Sequence, residues 1–170
     1  VLSRMRELAV QASSEVLHSS DRALADTEFL GLRAELDRIG ATTNYNGLAL
    51  TTLTPGTVDV QVGIGAGASD NRLTVTLHGA TANNFGVGGQ DLSSVAQARL
   101  SITRVEGGLS FLGTARANLG SFETQLSSIR HNLQNSFENS VASESAIRDA
   151  DFAQETARLT RGQVLAQAGV

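Results

Sequence analysis

Between about Leu92 and Val141 an apolar residue returns every seven positions, at Ala98, Val105, Leu112, Leu119, Leu126 and Leu133. Each has an apolar companion, four residues later at first (Ile102, Leu109) and three later further on (Ala115, Phe122, Ile129). A stripe held at that spacing over five heptads predicts one long amphipathic helix over residues 93–141, roughly 70 Å from end to end. A rod of that length predicts an elongated molecule. Gly107–Gly108, Gly113 and Gly120 are the positions at which an ordinary core helix would break, since each interior glycine costs about 1 kcal/mol.

Two shorter helices precede it. Over residues 2–17, Leu2, Met5, Ala9, Ala12 and Val16 fall at alternating steps of three and four, with Arg4, Glu7, Leu8 and Gln11 on the other face. An exposed leucine there is unexpected. After a break near His18–Ser20, with Ser20 or Asp21 able to cap, residues 21–40 repeat the design through Ala25, Phe29, Leu32, Leu36 and Ile39, ending at Gly40.

From Thr42 the period changes. Asn46–Gly47 signals a tight turn. Thr57–Ile64 alternates through Val58, Val60, Val62 and Ile64, and Arg72–Leu77 answers with Leu73, Val75 and Leu77. Joined by Gly65–Asp70, these predict a β-hairpin with its apolar face on the helices, within a β region of residues 44–80. Residues 81–92 read as a loop, glycine- and asparagine-rich over Asn83–Gln90 and tolerant of insertion. After Val141 a stripe of small residues (Ala146, Ala150, Ala153, Ala157, Thr160, Val164, Ala168) keeps helical spacing but buries little area, so residues 143–170 need a partner helix. The fold class is mainly α with a small β-hairpin region: an elongated, rod-like bundle, residues 1–142, with an appended segment.

Composition narrows the chemistry. The 170 residues include no cysteine, so disulfides and thiolate metal sites are excluded. All thirteen basic residues are arginine, which removes any lysine-dependent phosphate loop or Schiff base. The net charge of −4, without a basic run, argues against nucleic acid, and no apolar run is long enough to span a bilayer. The chain starts without methionine inside one helical pattern and stops inside another, as an excised middle would.

Candidate sites fall away in turn. Gly63, Gly65 and Gly67 follow a strand but precede another strand, not the helix that a dinucleotide loop needs. Gly86–Gly89 lacks the lysine and hydroxyl of a phosphate loop. His18, His78 and His131 are not spaced as a helical metal pair. Asp149, Asp151 and Glu155 cluster outside any calcium-loop frame, and no strained elbow supports a Ser–His–Asp triad. Neither an enzyme nor a cofactor is expected.

Five stretches, in order, resemble bacterial flagellin. They are Arg4–Ala12 (RMRELAVQA), Glu35–Ile39 with Thr43–Gly47 (ELDRI, TNYNG), Ala117–Gly120 (ANLG), Ile147–Glu155 (IRDADFAQE) and Gln163–Gly169 (QVLAQAG). The resemblance implies a filament subunit for swimming motility, secreted into an extracellular flagellum. It would be cut to its rod domain, with outer domains absent at residues 81–92 and the terminal core helices missing. Implied partners are other flagellin subunits, the host flagellin-sensing Toll-like receptor and, for the full-length parent, an export chaperone. The positions matching the family's contact surface are Arg4, Arg6, Glu7, Leu8, Gln11 and Glu28, with Ser3 where family sequences commonly carry glutamine. On that reading Leu8 is a contact residue, and Leu8→Ala leaves thermal stability nearly unchanged. A hook–filament junction protein, which shares the architecture, is the alternative.

Overall fold

The computed structural model describes residues 1–52, 54 and 56–169, without the side chains of residues 68, 69 and 149–151. The sequence readings at Asp149, Ala150 and Asp151 therefore lie outside the described residues. Two compact units emerge, Val1–Phe122 and Glu123–Val170. The elements are α1 (Leu2–Ala12), α2 (Ser19–Thr42), β1 (Asn44–Tyr45), β2 (Leu48–Ala49), β3 (Thr57–Gln61), α3 (Ala68–Asn71), β4 (Arg72–Thr76) and α4 (Val95–Ala168).

In the first unit α1 buries Leu2, Met5, Leu8, Ala9 and Ala12. It stops five residues earlier than the apolar spacing suggests, and Val16 is exposed. The reason is local. Ser13 competes for backbone hydrogen bonds, its Oγ donating to the carbonyl of Val10 at 2.7 Å. α2 begins after His18, with no side-chain cap bond from that residue, so neither Ser20 nor Asp21 is its cap. It also runs through Gly40, which is buried in the helix rather than ending it. A Cβ on Gly40 would lie 2.8 Å from Thr81 Cγ2, so close packing, not a left-handed turn, calls for glycine there.

Asn46 (φ 49°) and Gly47 (φ 79°) close the β1–β2 hairpin with both central residues left-handed, as a type I′ turn requires. β3 and β4 pair antiparallel with Val58 opposite Val75 and Val60 opposite Leu73, and these four side chains are half-buried. β3 ends at Gln61 because the backbone amides of Val62 and Gly63 turn to the carbonyl of Asn71. Ile64 therefore leaves the apolar face and is fully exposed. After β4, His78 meets the Phe111 ring edge-on at 5.6 Å.

Residues 81–92 are not the loose loop that composition suggests. Ala82, Phe85, Val87 and Leu92 are buried. Asp37 Oδ1 accepts from the amide of Ala82 at 2.8 Å, Asp26 Oδ1 from that of Leu92 at 2.7 Å, and Arg33 donates to the carbonyl of Gln90 at 3.0 Å. α2 thus holds this segment at both ends.

α4 continues through Gly107, Gly108, Gly113 and Gly120 and past Val141 without a break. In the first unit its buried seam is Ala98, Ser101, Val105, Gly108 and Ala115. Leu112 and Leu119, both in the heptad series, are exposed. Gly108 lets the helix approach the loop: a Cβ there would meet the Phe85 carbonyl oxygen at 2.9 Å. In the second unit none of the described side chains from Arg130 onward is buried, and Leu133, Phe137, Ile147, Phe152, Leu159 and Leu165 are each more than half exposed. No helix among the described residues is long and apolar enough to cross a membrane.

Candidate functional site

The residues singled out in the sequence lie on α1 and the facing turn of α2. Arg4 is held as a fork: Nε donates to Glu28 Oε1 at 2.7 Å and Nη2 to Glu28 Oε2 at 3.2 Å, while Nη1 reaches Glu7 Oε2 at 3.1 Å. Arg6 pairs with Glu106 of α4 at 3.0 Å. The planar two-point pairing of Arg4 with Glu28 suits guanidinium and carboxylate. The hydrogen bonds from Arg4 hold the Glu28 carboxyl below the usual range, and Glu28 in turn raises the Arg4 guanidinium above its own. Because every partner is exposed, the pairs shape the surface more than they stabilise the fold.

Gln11 is exposed and lines an open groove of about 590 Å³ with Ser3, Arg6, Glu7, Val10 and Leu109. Val10, about half exposed, is the apolar residue that α1 presents outward. The structure corrects the reading of Leu8 as that residue. Leu8 is only 2% exposed and packs into the core cluster. At 100° per residue it sits roughly 40° around the helix from Ala12 and 60° from Met5, at the margin of the buried stripe rather than across from it. The stripe is wide because the same cluster includes α2 residues Ala25 and Phe29 and α4 residues Ala98 and Val105.

Sequence reasoning missed Val10, Leu109 and Glu106. Val10 was findable as an apolar residue off the stripe, whereas the Arg6–Glu106 pair spans 100 residues and leaves no local trace. Among the described residues no group of three or more His, Asp or Glu side chains is placed to hold a metal ion. The arrangement offers a paired-charge surface beside an apolar-floored groove, which is binding chemistry.

Two family models match the chain. The bacterial flagellin N-terminal helical region matches residues 1–51, and the bacterial flagellin C-terminal helical region matches residues 102–170. The chain belongs to the flagellin family. A flagellin of Halalkalibacterium halodurans is 36% identical over 168 residues, covering 99% of this chain and 61% of the relative. The flagellar filament 31.3 kDa core protein of Treponema maltophilum is 33% identical, covering 99% and 64%. This flagellin chain thus spans just over three-fifths of the length of those two relatives. The crystal structure of Bacillus cereus flagellin superposes with a TM-score of 0.59 at 29% identity, covering 79% of this chain and 74% of that one. The FliC structure from Burkholderia pseudomallei, 17% identical with a TM-score of 0.57 over 72% of this chain and 92% of that one, shares the fold. The helix-rich architecture with a small antiparallel hairpin is the flagellin one.

Proposed function

We propose that the chain is the rod portion of a flagellar filament subunit, a structural protein and not an enzyme, exported to the flagellum outside the cell. The observation that carries this reading is the second unit. From Arg130 onward it is a helix with no buried side chain among those described, yet it displays leucine, isoleucine and phenylalanine at helical spacing. A helix whose apolar residues find no cover within its own unit draws its stability from partner helices. A relative called a flagellar filament core protein supports a polymer as the source of those partners. Heterologous contacts that do not close generate open helical polymers. In that polymer the α1 surface, with Arg4, Arg6, Glu7, Gln11 and Glu28, packs on a neighbouring subunit, and Leu8 supports it from beneath.

The test is a chimera in which residues 1–170 replace the matched span of the Halalkalibacterium flagellin, expressed in a strain lacking its own. Long filaments of constant diameter and restored swimming are expected. Subunits that add once to filament ends and stop would support the hook–filament junction alternative instead.

A second reading is recognition by the host flagellin-sensing Toll-like receptor at the same surface. It is favoured by the exposed, preformed fork of Arg4 on Glu28, although Ser3 stands where family sequences commonly carry glutamine. Receptor-bearing reporter cells should respond to the chain, and Arg4→Ala should weaken the response without lowering the melting temperature. An equal response from both proteins would remove Arg4 from the contact. An export chaperone for the longer parent is the remaining partner implied by the resemblance, and none of these residues is assigned to it.

A further inference from the structure

Among the described residues Arg22 is the only buried charged side chain, 8% exposed. Its partners are all backbone carbonyls. Nε donates to Ala12 at 2.9 Å, and Nη2 donates to Ser14 at 3.1 Å and to Leu17 at 3.2 Å. No ion pair is formed by Arg22 among the described residues. A buried cation is costly unless its donors are satisfied, so its presence at a helix corner calls for an explanation.

A helix end leaves carbonyls without partners, and the usual remedy is local: a glycine turning left-handed just beyond the last turn. This chain has Ser13 in the right-handed region instead. The Ser13 amide and hydroxyl and the Ser14 amide serve the carbonyls of Ala9, Val10 and Gln11. The last one, Ala12, takes its donor from Arg22 in the first turn of α2, so that bond ties the end of α1 to the next helix. Arg99 of α4 holds the corner from another side, reaching Glu15 at 3.1 Å. At the opposite end of α1 the tie to α2 is the exposed Arg4–Glu28 fork. Together these ties fix where the outer face of α1 points.

We propose that Arg22 is a positioning residue: a guanidinium clamp that locks α1 against α2 and thereby orients the α1 face on which a neighbouring subunit packs. The proposal rests on the filament reading above. Lysine would not replace it, because one ammonium cannot reproduce a planar fork spread over three carbonyls.

The absence of cysteine makes a direct test possible. Spin labels on cysteines introduced at the exposed positions Val10 and Leu24 report the α1–α2 distance by pulsed electron paramagnetic resonance on the full chain. A single narrow distance is expected for the parent, with a distribution at least twice as wide in Arg22→Gln and an intermediate one in Arg22→Lys. A lower melting temperature with an unchanged distribution would make Arg22 merely stabilising and overturn the proposal. If Arg22→Gln does not fold, hydrogen exchange in Arg22→Lys decides. Amides of residues 13–17 should exchange at least tenfold faster while those of residues 98–105 do not change, and equal protection overturns the clamp. In the chimera, Arg22→Gln should slow filament growth severalfold, and normal growth despite a widened distribution would break the link to assembly. Failure of the unsubstituted chimera to assemble would count against the filament reading, whereas the distances judge the clamp by themselves.

Discussion

Leu8→Ala separates a core residue from a contact residue. The side chain is 2% exposed within a cluster that includes Leu2, Met5, Phe29 and Val105. Truncation removes three buried carbons, worth about 0.8 kcal/mol each in transfer, and leaves a cavity whose walls relax only in part. The total for such changes is about 2–5 kcal/mol, a large share of the roughly 5–15 kcal/mol that holds a domain together. A unit the size of Val1–Phe122 has an unfolding entropy of about 0.25 kcal/mol/K, so a loss of about 3 kcal/mol lowers its midpoint by roughly 12 °C. The assay is the cooperative far-UV circular dichroism transition, read beside Val10→Ala, an exposed control expected to stay within about 0.5 kcal/mol of the parent. A midpoint for Leu8→Ala within about 2 °C of the parent would refute the burial argument and return Leu8 to the surface. The expected result also means that weakened binding in this variant reports a loosened core rather than a lost contact.

Three further outcomes follow from the same geometry. Gly108→Ala should destabilise by about 1–3 kcal/mol through overpacking on Phe85, whereas Gly107→Ala and Gly113→Ala, with open space at the Cβ position, should stabilise by about 0.5–1 kcal/mol; urea midpoints distinguish them, and a common sign would defeat the contact argument. Glu28 titrates below the usual range because Arg4 donates to it, so its contribution is present above the unfolded carboxyl range and is lost as pH falls through the depressed value. In a carbon-13 titration Arg4→Gln should move the Glu28 midpoint upward, and an unmoved midpoint would show that the fork does not persist in solution. Asp26→Ala or Asp37→Ala should cost about 1–3 kcal/mol by leaving an amide unpaired, with faster hydrogen exchange at Leu92 or Ala82 respectively; unchanged protection would place the anchor elsewhere.

The helices were legible because apolar spacing is a local signal. Met5, Ala9 and Ala12 mark the buried side of α1, and Ala98 and Val105 that of α4. The apolar face of the hairpin could be read from the alternation of Val58, Val60, Leu73 and Val75, whereas its register could not. Spacing cannot say how many neighbours a helix has. A stripe drawn for one partner excludes Leu8, whereas a helix packed into a cluster with residues of two others takes it in. The ends of α1 and β3 were misplaced because the Ser13 hydroxyl and the Asn71 carbonyl, not hydrophobicity, decide them. Leu112 and Leu119 fit the heptad but lie outside the seam, which in the first unit follows Ser101 and Gly108, residues that a hydrophobic pattern passes over. The surface charges could be nominated from the resemblance. Their pairing across 24 and 100 residues could not.

The two carboxylates of α2 that grip residues 81–92 make this segment a ready-made display mount. Asp26 and Asp37 stand eleven residues apart on one helix, roughly 16 Å, and they hold the amides of Leu92 and Ala82 on either side of the exposed Gly89. Gly89 is exposed, with open space around its Cα. A foreign epitope grafted between Gly88 and Gly89 would leave and re-enter through anchored ends. Lengthening such a graft adds only about 0.6 kcal/mol of closure entropy per doubling. Cargo size and scaffold integrity are thereby largely uncoupled.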